Sequence, residues 1–141
     1  MTEQANDPVA ADTSVAVAYL MASHVAHAAV RKAVQSRTPV LTAHSLAETY
    51  SVLTRLPGDA RLTPTDAATL IEQSFGRAVL LPAQLARSIH RELSNRGIGG
   101  GAVYDALVAM AARANGLSLV TRDARALNTY VRLGVTAEVI S

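Results

Sequence analysis

The sequence contains neither cysteine nor tryptophan in its 141 residues, and it has a single phenylalanine. The absence of cysteine excludes disulfide bonds, thiolate nucleophiles and cysteine-ligated zinc sites. Because half of the residues are hydrophobic and only 4% are aromatic, close helix packing is favoured over a core of large rings. A chain of this length can bury such a core within one domain.

Long apolar runs and an apolar leader are also missing. No run reaches the roughly 18 residues that are needed to cross a bilayer. The polar segment 1–7 contains two acids, whereas a secretory leader would carry basic and apolar residues. We therefore expect a cytoplasmic protein with a flexible N-terminal tail over residues 1–7 and a single domain over residues 8–141.

Lysine is nearly absent as well, because Lys32 is the only lysine among 13 basic residues. Arginine can bind phosphate through two parallel hydrogen bonds, and the net charge of +2 mildly favours anionic partners. An arginine-rich and alanine-rich codon usage explains this composition equally well. Charge alone therefore does not indicate a nucleic-acid partner.

Short apolar runs typical of strands alternate with helical patterns along the chain. Strands are predicted over 8–12, 38–42, 77–81, 117–121 and 136–140. Helices are predicted over 13–22, 25–36, 43–56, 64–75, 83–96, 102–115 and 122–133. This alternation predicts an α/β fold in which a mostly parallel sheet is covered by helices on both faces.

Four acidic residues fall where the predicted strands end or where the following helices begin. Asp12 ends the first strand, and Asp123 lies just beyond the strand 117–121. Glu48 and Asp105 lie in the first turns of predicted helices. Ligands of parallel sheets bind outside the carboxyl ends of the strands, and right-handed crossovers would bring all four acids to that edge.

Asp12, Glu48 and Asp105 are each the only charged residue in a long neutral stretch. A carboxylate among apolar neighbours costs desolvation energy unless it is paired or binds a metal. Any one of them is explained equally well as a helix cap or as a charge favoured by the helix dipole. Four together favour a site for a hard cation, Mg²⁺ or Mn²⁺, which would assist phosphodiester hydrolysis.

Other sites have weaker support. His24 and His27 have metal-ligand spacing but no third partner, and His44 and His90 are interpreted as surface or packing residues. The glycines before residue 102 nearly match a dinucleotide fingerprint, but they follow a helix and are interpreted as a hinge or tight loop. No phosphate-binding P-loop or nucleophile-elbow motif is present. The sequence also lacks the Asp-x-Asp that a phosphatase of the haloacid dehalogenase type has after its first strand. It lacks the lysine that a receiver domain needs near its acids.

Four short motifs occur in a fixed order along most of the chain. They are "DTS" at 12–14, "AE" at 47–48, "YDALVAMAA" at 104–112 after a glycine-rich loop, and "LVTRD" at 119–123. In this order and spacing the sequence resembles the PIN-domain ribonucleases, and among them the VapC-type toxins of bacterial type II toxin–antitoxin pairs.

The resemblance implies a three-layer α/β/α sandwich and a metal-dependent endoribonuclease. It implies that Asp12, Asp105 and Asp123 hold Mg²⁺ or Mn²⁺ and that Glu48 orients or deprotonates the attacking water. All four would then be catalytic. The family has small hydroxyl residues that support such ligands, which here correspond to Thr13, Ser14 and Thr121. The family also implies an RNA substrate, a cognate antitoxin and a homodimer.

The sequence departs from the family after Asp123, where "ARALNTY" replaces an aromatic or His-Phe pair. Arg122 and Arg125 flank Asp123 and are candidates for binding RNA phosphate, although they could instead neutralise the acidic pocket. The alternative function is a non-catalytic RNA-binding or scaffold protein that retains the PIN fold. The presence of all four acids favours the enzyme.

Overall fold

Four short parallel strands form the central sheet of the computed structural model, which describes residues 7–141. The strands are β1 (Val9–Ala11), β2 (Pro39–Leu41), β3 (Ser118–Thr121) and β4 (Ala137–Val139). Their order is β2-β1-β3-β4, with Ala10 paired to both Val40 and Leu119. The predicted parallel sheet is confirmed, and the predicted tail lies outside the described residues except for Asp7.

Eight α-helices occur within residues 7–141. They are α1 (Thr13–Leu20), α2 (His27–Val34), α3 (Ala43–Leu53), α4 (Pro64–Ser74), α5 (Ala83–Arg87), α6 (Ile89–Asn95), α7 (Ala102–Ala114) and α8 (Ala124–Arg132). Two short 3-10 turns lie at Gln35–Arg37 and Gly58–Ala60. None of the helices in this part of the chain is long and apolar enough to cross a membrane.

Polar side chains set the starts of the helices that follow strands. Asp12 caps α1 by accepting a hydrogen bond from the Val15 backbone N–H, and Asp123 caps α8 in the same way. Thr42 and Ser45 form a reciprocal capping box at the start of α3. Such caps satisfy amide groups that have no partner within the helix. Two of the four predicted site acids therefore also define where a helix begins.

The side chains of β1 divide the core into two parts, because successive residues of a strand point to opposite faces. Val9 and Ala11 pack on one face with apolar residues of α1 to α4. Ala10 packs on the other face with Leu119 and with apolar residues of α6, α7 and α8. The predicted cover of helices on both faces is confirmed, and the fold is a three-layer α/β/α sandwich.

Two predicted elements are wrong. Residues 77–81 do not form a strand, because only Val79 makes an isolated parallel bridge to Thr42 before Pro82 ends the run. Residues 83–96 do not form one helix, because the backbone of Ser88 leaves the helical region between α5 and α6. The Ser88 hydroxyl donates to the carbonyl oxygen of Gln84 at 3.2 Å, a local bond that competes with the helix.

Candidate active site

A cleft of about 290 Å³ opens at the carboxyl ends of β1 and β3. All four acids predicted from the sequence line it. They are Asp12, Glu48, Asp105 and Asp123. β1 leads directly into α1 and β3 into α8, whereas α3 and α7 supply the other two acids from their early turns. Residues widely separated in the chain therefore meet at one edge of the sheet.

Asp12 is buried at the base of this cleft, with 6% of its surface exposed. Its Oδ1 accepts hydrogen bonds from the Ser14 hydroxyl at 2.6 Å and from the Val15 backbone N–H at 3.2 Å. Its Oδ2 accepts a third from the Tyr130 hydroxyl at 2.9 Å. Three donors around two oxygens hold the carboxylate in one orientation before any ligand arrives.

Tyr130 was not predicted from the sequence as a site residue. Its ring is fully buried on the inner face of α8. Burial raises the pKa of its hydroxyl far above the usual value, and the negative charge and hydrogen bond of Asp12 raise it further. Tyr130 therefore stays protonated and serves as a hydrogen-bond donor. The only signal in the sequence was its place within "ARALNTY", where the chain departs from the family pattern.

Glu48 lies at the more exposed side of the cleft. The Thr13 hydroxyl donates a hydrogen bond to Glu48 Oε1. His44 lies one turn earlier on α3, with its Nε2 atom 3.9 Å from the same oxygen. The His44 ring stacks on Tyr104, with ring centroids 5.4 Å apart and an angle of 10° between the rings. His44 is thus a packing residue, as predicted, and it also borders the acidic site.

Asp105 is half-buried in the first turn of α7 and interacts electrostatically with the other three acids. Burial raises the pKa of its carboxyl group above the usual range. The charges of Asp12, Asp123 and Glu48 raise it further, in that order, and His44 opposes them. The four carboxylates therefore repel one another, and a proton or a cation would relieve this repulsion.

Hydroxyl groups join the two strand ends beneath the cleft. The Thr121 hydroxyl accepts a hydrogen bond from the Asp123 backbone N–H at 3.0 Å and lies 3.5 Å from the Ser14 hydroxyl. Ser14 also accepts a hydrogen bond from the Arg122 backbone N–H at 2.8 Å. Each predicted hydroxyl residue thus contacts a site acid or its backbone, Thr13 included. This network fixes the end of β3 against the start of α1.

The two arginines beside Asp123 lie outside the cleft itself. Arg125 extends into solvent and approaches Asp123, with its Nε atom 3.4 Å from Oδ1. The Nε atom of Arg122 is buried and has no hydrogen-bond partner among the described residues. The Arg125 contact agrees with a charge-neutralising role, and its exposure leaves the guanidinium free to turn toward a ligand.

The acids suit a water-rich cation better than a closed metal cage. Within residues 7–141, no three histidine, aspartate or glutamate side chains are positioned so that they could together hold a metal ion without rearrangement or further ligands. Zinc in structural sites takes four protein ligands, whereas Mg²⁺ keeps several waters and uses one or two carboxylates together with substrate phosphate. The oxygen-only donor set and the repulsion at Asp105 fit Mg²⁺ or Mn²⁺.

Known proteins are similar to this chain in sequence and in fold. The model of the PIN domain family matches residues 9–131. The chain is 52% identical over 128 residues to ribonuclease VapC27 of Mycobacterium tuberculosis, covering 91% of this chain and 93% of that protein. It is 42% identical over 134 residues to ribonuclease VapC40 of the same species, covering 94% of this chain and 99% of that protein.

Solved structures with low sequence identity have the same fold. The crystal structure of M. tuberculosis VapC20, described as a sarcin-ricin loop cleaving toxin, aligns with a TM-score of 0.66 at 20% identity, covering 85% of this chain and 93% of that chain. A chain of VapBC2 from Rickettsia felis, bound to promoter DNA, aligns with a TM-score of 0.65 at 15% identity, covering 95% and 99%.

The match over most of the chain defines the class of protein. This chain belongs to the PIN-domain family. Within that family its sequence is similar to the VapC ribonucleases, and the resemblance drawn from the four motifs is confirmed.

Proposed function

We propose that this protein is a metal-dependent endoribonuclease that acts as the toxin of a toxin–antitoxin pair. The carrying observation is the convergence of four carboxylates in one cleft, where burial and then the other three acids raise the pKa of Asp105. Such a concentration of negative charge costs free energy unless a cation binds there. Similarity to named VapC ribonucleases supports RNA as the substrate.

Asp12, Asp105 and Asp123 would hold one or two Mg²⁺ or Mn²⁺ ions. When bound, such an ion lowers the pKa of a coordinated water and offsets the charge that develops on the phosphate. Asp12 is suited to this role because its three hydrogen bonds fix its orientation. Ser14 and Tyr130 then act by positioning Asp12, and Thr121 acts by positioning the backbone at Asp123.

Glu48 has a different proposed role. It is more exposed than Asp12, and its one hydrogen bond from Thr13 leaves further lone pairs directed to solvent. A carboxylate in this position can orient a water molecule in the cleft and accept its proton as the water attacks phosphorus. Thr13 would hold the carboxylate in the orientation that this proton transfer needs.

Arg122 and Arg125 are proposed to bind RNA phosphate beside the cleft. The Arg125 side chain is exposed and can leave Asp123 when a phosphate or a cation arrives. Arg122 is less accessible, because its Nε atom is buried, and its side chain would have to turn outward to reach a phosphate. Arginine matches phosphate geometry through paired N–H groups.

A cognate antitoxin and a second copy of this chain are the proposed protein partners, in the cytoplasm. The R. felis structure is of VapBC2 bound to a promoter fragment, and its aligned chain has this fold. An antitoxin would keep the cleft from RNA until it is released or degraded.

The proposed activity is tested by incubating purified protein with RNA in Mn²⁺ or Mg²⁺, with and without a chelator. Wild type should cut RNA only with metal present. Asp105→Asn should lower the cleavage rate by at least about 100-fold, since it removes a charged ligand at the reacting centre. The matched control is Asp59→Asn, which changes an exposed acid in the 3-10 turn Gly58–Ala60.

Asp59→Asn should cut as fast as wild type. Cleavage that persists in chelator and in Asp105→Asn would contradict the mechanism. RNA binding without any cleavage by the wild-type protein would support the alternative, a non-catalytic member of the family.

A further inference from the structure

Tyr104 places an exposed aromatic ring in the carboxylate cleft. It immediately precedes Asp105 on α7, lines the same cleft as the four acids, and is 57% exposed. Single exposed apolar residues are common on protein surfaces and indicate nothing by themselves. Here a second feature accompanies the exposure, because the ring stacks on the ring of His44.

The His44 ring lies nearly parallel to Tyr104, with a centroid separation of 5.4 Å and an interplanar angle of 10°. His44 projects from the first turn of α3, and the capping box of Thr42 and Ser45 fixes that turn. The Nε2 atom of His44 points into a buried position near Glu48 and has no hydrogen-bond partner among residues 7–141. The His44 ring therefore stacks on Tyr104 and approaches the Glu48 carboxylate.

This pair of rings connects the two helices that carry Glu48 and Asp105. The position of Tyr104 is thus set relative to the acids by α3 as well as by its own helix. A side chain that is already ordered loses little conformational entropy when a ligand binds. The exposed part of the Tyr104 ring offers a flat apolar surface at the entrance to an otherwise charged cleft.

We propose that Tyr104, supported from behind by His44, is a stacking site for one nucleobase of the RNA next to the phosphate that is cut. This inference rests on the proposed ribonuclease function. In an RNA strand every phosphate is one sugar away from a base, so a strand held at the acids brings a base to the rim of the cleft. Aromatic side chains stack unpaired bases in single-stranded RNA, and every base has a suitable face.

The experiment compares two ten-residue probes with the same backbone charge, oligoadenylate and an abasic ribose-phosphate oligomer. Binding is measured by fluorescence anisotropy with Ca²⁺ in place of Mg²⁺, so that binding is read without cleavage. The ratio of the two dissociation constants isolates the contribution of the bases, because phosphate contacts are common to both probes.

Tyr104→Leu should reduce the preference for oligoadenylate by about 5- to 100-fold, the range typical of losing one base–aromatic stack. Tyr104→Phe should keep the wild-type preference within about twofold, because the stacking face remains. His44→Ala should give an intermediate loss, since it leaves Tyr104 in place without its support. Tyr50→Leu is the matched control. Tyr50 is also a partly exposed tyrosine, but it lies on α3 and does not line the cleft.

A Tyr104→Leu protein that keeps the full preference for oligoadenylate would overturn the stacking site. If the same variant also lost affinity for the cognate antitoxin, the ring would be a protein contact instead. Wild-type protein that binds neither probe would overturn the proposed ribonuclease itself, and this outcome is distinct from equal binding of both probes.

Discussion

The two ends of the sheet carry cavities that differ in net charge, one balanced and one acidic. At the amino ends of the strands, a larger cavity of about 800 Å³ is lined by Asp7, Arg37, Arg113 and Glu138 among others. Its two acids are matched by its two arginines, of which Arg37 pairs with Glu138 at 3.1 Å and Arg113 donates to the carbonyl oxygen of Leu133. At the carboxyl ends, a cleft of about 290 Å³ contains four acids and no lining arginine.

This difference shows that charge imbalance, and not volume, distinguishes the candidate site. The amino-end cavity is nearly three times as large, but both of its arginines already have partners within the protein. The carboxyl-end cleft has an excess of negative charge, and burial together with the neighbouring carboxylates raises the pKa of Asp105. A cation bound at that end, as we propose, would offset this cost.

The largest expected difference between the two ends of the sheet is in metal binding. Mn²⁺ at about 100 times its dissociation constant should stabilise the wild-type protein by about 2.7 kcal/mol and raise its melting temperature by several degrees. Asp12→Asn should lose most of this shift, because it removes a fixed ligand. The measurement is thermal unfolding with and without Mn²⁺.

Glu138→Gln is the control at the amino end, since it removes an acid from the balanced cavity. This variant should keep the full Mn²⁺ shift. Equal shifts in wild type and Asp12→Asn would mean that Asp12 does not bind the metal. A shift lost only in Glu138→Gln would place the metal at the amino ends of the strands, and either result would contradict the proposed mechanism.

Tyr130→Phe tests whether the hydrogen bonds at the carboxyl end matter for function. The change removes one donor from buried Asp12 and leaves the ring in place. Loss of such a supporting contact typically lowers metal affinity or activity by about 10- to 100-fold. The measurements are RNA cleavage rate and Mn²⁺ affinity by calorimetry.

Tyr19→Phe is the matched control, because Tyr19 is another buried tyrosine on the opposite side of the sheet, packed against Phe75. It should change neither quantity by more than about twofold. Unchanged Mn²⁺ affinity and activity in Tyr130→Phe would mean that Ser14 and the Val15 amide position Asp12 without it.

The raised pKa of Asp105 predicts how stability depends on pH when no metal is bound. The unfolded chain releases this proton near the ordinary pKa of 3.8, whereas the folded protein holds it to higher pH. Stability contributed by the protonated form is therefore lost as pH rises from about 4 through the raised pKa, and the loss then levels off. The effect should stay below about 1 kcal/mol, because the side chain is partly exposed.

Asp105→Asn has no such ionisation. Its advantage in unfolding free energy over wild type should grow across that pH interval in chelator and vanish below it. Urea unfolding at a series of pH values measures both proteins, and curves that stay parallel would contradict the repulsion among the carboxylates in the cleft.

The smallest expected effect concerns the arginines beside the cleft. If Arg125 binds one RNA phosphate, Arg125→Gln should flatten the salt dependence of RNA binding by about 0.7 in logarithmic slope. That corresponds to a change of about two- to threefold between 50 and 200 mM salt. Arg37→Gln at the amino end should leave the slope unchanged, whereas an equal effect of both variants would indicate diffuse attraction.

The acids were predictable because they follow from local rules. Strands end where apolar runs end, and parallel topology brings those ends together, so Asp12 and Asp123 could be assigned to one edge from the sequence. Their roles as ligands remain predictions. Asp105 and Glu48 could be assigned to early turns of helices, because those helices were predicted to begin just after glycines or a hydroxyl residue.

Contacts between distant elements could not be predicted in this way. The hydrogen bond from Tyr130 to Asp12 joins residues 118 positions apart and depends on how α8 is rotated over the sheet. The stack of His44 on Tyr104 likewise depends on the packing of α3 against α7. The sequence also did not indicate that Tyr104 and Val108 line the cleft beside Asp105.

The bond between Tyr130 and Asp12 also sets an order of events during synthesis. Asp12 is among the first described residues to leave the ribosome, whereas its donor and the neighbouring strand β3 are among the last. A nascent chain therefore carries its carboxylates apart until β3 and α8 have been made. If the protein is the nuclease we propose, the ribosome that makes it is exposed to a finished active site only after Tyr130 has emerged.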